Sequence, residues 1–116
     1  MPSYMDAEKL MAWHLDYVIA KRIFGYAISR TTRARQTIHV TYSGVGHNDL
    51  EFSPTTRWVD GGPLIQNYGL SIVQNDAGIW TCTSQEGISH QDESPLIAAM
   101  RVLISSKVKP PYEIPS

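Results

Sequence analysis

Apolar and polar residues follow two distinct periods along this chain, and each change of period marks a new element. Over residues 4–24, Leu10, Trp13, Tyr17 and Phe24 recur near helical spacing, and Met11, Leu15 and Val18 widen the stripe. Lys9, Asp16 and Lys21 fall mostly off that face. The pattern predicts an amphipathic helix, capped by Ser3 or Asp6 and stopped by Gly25. Residues 36–43 switch to strand period, with Ile38, Val40 and Tyr42 on one face and Thr37, His39 and Thr41 on the other. Residues 44–49 read as a turn, and a strand resumes over 50–52. Segments 69–74 and 78–84 predict a hairpin turned by Asn75, Asp76 and Ala77, with Trp80, Cys82 and Ser84 sharing a face. Residues 85–93 are polar and read as a loop. A last helix follows, with Ser94 as cap, Pro95 at the first position and a stripe of Leu96, Ile97, Met100, Leu103 and Ile104. Pro110 and Pro111 end it, leaving an extended tail suited to lying along a neighbour.

The stretch FSPTTRWVDGGPLIQ, residues 52–66, fits neither period. Pro54 stiffens the approach, and Thr55 or Thr56 offers a hydroxyl to cap a helical turn. Gly61, Gly62 and Pro63 read as a break, after which Leu64, Ile65 and Tyr68 suit a short helical turn. The predicted fold class is therefore α+β. A small antiparallel sheet of three to four strands packs against an N-terminal and a C-terminal helix, with a short helical turn in the middle. At 116 residues with 42% hydrophobic content, the chain is expected to be one domain over 1–116, with 110–116 as the tail.

Charge changes this picture locally. The net charge of -1 argues against general nucleic-acid binding, and no apolar run approaches a membrane span. Half of the ten basic residues nevertheless lie between Lys21 and Arg35 with no acid among them. Arg30, Arg33 and Arg35, interspersed with Thr31 and Thr32, suit phosphate or carboxylate recognition, though a solvated loop has the same composition. No catalytic constellation is visible. The four histidines are scattered, so no metal site is expected, and Cys82 in mid-strand reads as a buried, inert thiol. The lone cysteine and the lack of a leader point to the cytoplasm. The expectation is a protein that is not an enzyme and takes no cofactor.

Three blocks, LDYVIAK at 15–21, FSPTTRWVDGGPLI at 52–65 and PLIAAMR at 95–101, together resemble the NinX-like family of small tailed-phage and prophage proteins, a domain of unknown function. LDYVIAK at 15–21 is similar to the family's LDWAVAK opening, and FSPTTRWVDGGPLI at 52–65 resembles its YSPSTDWAQGGPII signature. PLIAAMR at 95–101, with SSK at 105–107 and EIP at 113–115, matches the close of the family pattern. The resemblance implies a phage or prophage source, a bacterial host cytoplasm and an accessory role. It brings no catalytic residues. Where the signature commonly has an acid, this chain has Arg57, which favours an anion there.

Two functional expectations follow. One is a non-enzymatic counter-defence protein that sequesters a small anionic nucleotide signal, working as a homo-oligomer. Arg33, Arg35 and Arg57 would hold the anion, Thr55, Thr56, Gly61 and Gly62 would line the site, and Trp58 or Trp80 would stack on the base. The other is a protein–protein interaction module, using exposed aromatics and the 110–116 tail to cap or inhibit a host or phage protein.

Overall fold

The structure is a computed structural model that describes residues 3–5, 10–32, 36–41 and 50–114. In chain order, β1 is Ser3–Met5, and α1 is Ala12–Val18 continuing into a widened π turn at Ile19–Phe24. Strands β2 (Ala27–Thr32), β3 (Thr37–Thr41) and β4 (Leu50–Phe52) precede α2 (Trp58–Asn67). Strands β5 (Ser71–Gln74), β6 (Trp80–Thr83) and β7 (Ser89–Asp92) lead into α3 (Pro95–Lys107), and β8 is Tyr112–Ile114. The α+β class holds, with the terminal helices and a middle helix as expected. Among the described residues the strands divide into three antiparallel groups, ordered β1-β8, β2-β3-β4 and β5-β6-β7.

Helix α3 is the centre of the core, packing on β6, β7, α1 and α2. Its Ala98, Ala99, Met100, Val102, Leu103 and Ile104 are fully buried, so the apolar surface is broader than the single stripe read from spacing. Ser94 caps it as expected, its Oγ accepting the Ile97 N–H at 3.3 Å. From α1, Leu15, Val18 and Ile19 enter the same core, joined by Ile38 and Val40 of β3.

The first helix differs from expectation. It starts at Ala12, and Met11 occupies the cap position, where its N–H donates to Nδ1 of His14 at 3.3 Å. Ser3 lies in β1, and Asp6 falls outside the described residues. Gly25 does end the helix, at φ 71°, with its N–H on the Ala20 carbonyl. Phe24 is not core: it lies 42% exposed, stacked on Tyr26 at 5.0 Å.

Three segments read as loop or tail are strands. The basic stretch up to Thr32 is β2, paired with β3. Residues 89–92 form β7, whose Ser89 and Gln91 line up beside Thr83 and Thr81 of β6. The tail pairs with the chain's own β1, Tyr112 opposite Met5 and Ile114 opposite Ser3, so it packs on this molecule. Arg22 fixes its approach by donating to the carbonyls of Lys109 at 3.2 Å and Pro111 at 3.3 Å. The predicted turn at 44–49, and Tyr42 of the expected strand face, lie outside the described residues.

Candidate functional site

The FSPTTRWVDGGPLIQ stretch is organised by a carboxylate from a different helix. Asp16 is 2% exposed, and its Oδ1 accepts the Thr55 N–H at 3.0 Å. Its Oδ2 accepts the Thr55 hydroxyl at 2.9 Å and the Ser53 hydroxyl at 3.2 Å. The Ser53 Oγ also meets the Thr56 Oγ1 in a short hydrogen bond. The residues around Pro54 therefore dock onto α1 through an Asp that helical spacing places off the apolar face. Burial pushes this carboxyl up to about 7, and nearby Asp60 adds to the rise, against the three hydrogen bonds that favour the charged form. Ser53 and Thr55 are as closed to solvent as Asp16 itself. The cluster thus acts as a clamp between helix and loop, with its polar groups closed to solvent.

Helix α2 grows from this clamp. The Ser53 carbonyl accepts the Arg57 N–H at 2.9 Å, closing the turn that feeds the helix. Asp60, in the first helical turn, accepts the Ser53 N–H at 3.0 Å and suits the positive end of the dipole. Neither Thr55 nor Thr56 caps the helix; Arg57 holds that position without a side-chain bond.

Gly61, Gly62 and Pro63 do not break the backbone, and the helix runs straight through them. Gly61 is needed for packing: a Cβ there would collide with the Pro54 carbonyl oxygen and stand 2.8 Å from Leu96 Cδ2. At Gly62 a Cβ would meet only the Trp58 ring, 3.8 Å away. The N–H that Pro63 lacks would have served the Val59 carbonyl, on the exposed side of the helix.

The expected binding residues separate into three environments. Thr55 and Gly61 are buried in the clamp and the helix contact. Thr56, Arg57 and Trp58 are exposed, and Gly62 is half-buried beneath the indole. The Arg57 guanidinium lies between Glu51 at 3.5 Å and Asp60 at 3.7 Å, so its charge is already countered. Trp80 is half-buried at the start of β6, on the face that carries buried Cys82. Arg33 and Arg35 lie outside the described residues, and Arg22 of the basic segment is engaged with the tail. Among the described residues no group of His, Cys, Asp and Glu is arranged to hold a metal ion. Burial pushes the Cys82 thiol up to about 11, which keeps it protonated.

These contacts join the three blocks that carry the resemblance. Asp16 of the first binds Ser53 and Thr55 of the second, and Gly61 of the second abuts Leu96 of the third. Arg101 of the third donates to the Leu10 carbonyl at 3.0 Å, just ahead of the first, and to Asp92 at 3.3 Å. The family model described as Bacteriophage P22, NinX matches residues 7–107. The chain belongs to this family. Comparison with curated proteins gives no match. NinX membership makes the chain a phage accessory protein, and its family signature reads as a set of mutually packed segments. Asp16 is the residue that sequence reasoning missed. Its signal was a lone carboxylate flanked by Leu15, Tyr17 and Val18 inside a family block.

Among the described residues no helix is long and apolar enough to cross a membrane.

Proposed function

We propose that this NinX-family protein acts by docking on a partner protein through the exposed start of α2. The observation that carries the reading is the exposure of Trp58 at 54% and Val59 at 68%, side by side on a helix clamped from below. Pro63, one turn beyond Val59, extends the apolar surface, and the indole spreads over the bare backbone of Gly62. A large ring presented at low entropic cost on a rigid support, rimmed by Arg57 and Glu51, has the make-up of a protein-binding hot spot. The clamp and the tight Gly61 contact supply the rigidity, so the surface is organised before a partner arrives.

The nucleotide-sequestration reading draws on the same indole beside Arg57. It is weakened by the two carboxylates already flanking that guanidinium, which lower the potential an incoming phosphate would meet. One experiment separates the two. Tagged protein and a Trp58→Ala, Val59→Ser variant are used as bait in lysate of phage-infected host cells, and both are screened by thermal shift against cyclic and linear nucleotides. A stoichiometric protein bound by the parent and lost by the variant, with melting temperature unchanged, supports docking. A nucleotide that raises the parent's melting temperature but not the variant's overturns it in favour of sequestration.

A further inference from the structure

We propose that β5 is a dimerisation edge, pairing antiparallel with β5 of a second copy in a register centred on Val73. The sheet order β5-β6-β7 leaves β5 with a partner on one side only, among the described residues. The direction of its backbone groups follows from the hairpin. Asn75 donates to the Ile79 carbonyl at 2.9 Å, and Ser71–Gln74 continue in register with Trp80–Thr83. Alternation along an antiparallel ladder then gives the N–H and C=O of Ser71 and Val73 to β6. Those of Ile72 and Gln74 point outward. The β6–β7 pair obeys the same phase, since Ser84 donates to the Ile88 carbonyl at 2.8 Å and Thr81 and Thr83 are left to β5.

This arrangement selects both the occupant and its register. A second β5 related by a two-fold axis at Val73 sets Ile72 opposite the partner copy's Gln74, so that the outward-pointing groups exchange both hydrogen bonds, twice over by symmetry. Val73 then faces its own copy in the close, non-bonded pair, where Cα atoms lie about 4.5 Å apart. Val73 is 64% exposed, an apolar side chain left on a solvent face.

Nothing along this edge repels a copy of itself. Ser71, Ile72, Val73 and Gln74 carry no charge, and no proline guards the strand. The solvent face beside it is neutral too: Thr83 and Ser89 hydroxyls meet at 2.8 Å, and Gln91 donates to Thr81 at 3.1 Å. Strands β2, β4 and β7, the other edges of the three-stranded sheets, carry Arg30, Glu51 and Asp92 respectively. Joined at β5, two copies make one continuous six-stranded sheet. The contact is small, so association is expected at about micromolar concentration or weaker.

The test is sedimentation velocity of the full chain from about 1 to about 300 μM, a range that brackets weak dimers. It is run beside Val73→Lys and paired with oxidation of Val73→Cys. The expected result is a concentration-dependent dimer that Val73→Lys weakens by about tenfold or more, since it sets like charges directly opposite. Val73→Cys should form a disulfide-linked dimer under mild oxidation, faster than Ser71→Cys, because only position 73 faces itself within bonding distance. Native Cys82 is buried and does not compete. A monomer throughout the range overturns the proposal. So does a dimer indifferent to Val73→Lys, or one lost instead in Trp58→Ala.

Discussion

Replacing Asp16 by Asn tests the clamp most directly, because the two side chains share a shape and differ in charge. The folded carboxyl titrates near 7 against an ordinary value of 3.8. Between those limits the folded state binds more protons than the unfolded one, so stability falls as pH rises. The contribution is fully present below about pH 4 and is lost through about pH 7. At about 1.4 kcal/mol per unit, the difference comes to roughly 4 kcal/mol. The introduced amide can mimic the protonated acid. Its carbonyl accepts the Thr55 N–H while its NH2 group donates to the Thr55 and Ser53 oxygens, the hydroxyls turning toward the Ala12 carbonyl and Thr56. Urea denaturation followed by tryptophan fluorescence at pH 4, 6 and 8 should therefore show the parent losing stability relative to Asp16→Asn as pH rises. The variant is expected to exceed the parent at pH 8 by up to about 4 kcal/mol and to match it within about 1 kcal/mol at pH 4. Taking the difference between the two proteins cancels whatever they share. If Asp16→Asn costs about 2 kcal/mol or more at pH 8, the scale of a lost buried charge-assisted hydrogen bond, the three donors outweigh burial and the reasoning fails.

Further outcomes follow from the packing. Gly61→Ala should lower stability by about 3 kcal/mol in thermal or urea melts, because its methyl meets backbone at Pro54 and has nowhere to go. Gly62→Ala, one residue away and facing only the Trp58 ring, should instead stabilise by about 0.5–1 kcal/mol through helix propensity. Ser94→Ala should cost about 1 kcal/mol in the same melts by removing the bond to the Ile97 N–H. Cys82 should resist a thiol reagent at pH 8 and label only as denaturant unfolds the protein, since its thiol is buried and held protonated.

Legibility from sequence followed how local the determining physics was. The last helix carries its cap, its stop and its apolar face within one stretch, so its limits could be read directly. The hairpin is likewise announced by its turn, where Asn75 Oδ1 accepts the N–H groups of Ala77 and Ile79 at 2.9 and 3.0 Å. Strand β7 escaped detection because its polar sequence has no periodic signature, and β2 because its arginine and threonines suit a loop equally; β8 is three residues long, and its partner β1 lies at the other end of the described chain. Gly61, Gly62 and Pro63 misled for the opposite reason. Their composition signals a turn, yet the close approach of Pro54 and Leu96 is what requires Gly61. Of the expected binding residues, Thr56, Arg57 and Trp58 are exposed, whereas Thr55 and Gly61 are buried. Asp16, which determines whether that surface is held in place, acts across the fold, and no spacing rule connects it to Thr55.

The pairing of β1 with β8 bears on how the molecule is made. Ser3 is made long before its partner Ile114, so β1 has nothing to zip against until β8 has been synthesised. Elongation slowed between the two strands would prolong that exposed interval, whereas the β5–β6 hairpin, with neighbours close in the chain, can close as soon as it clears the exit tunnel.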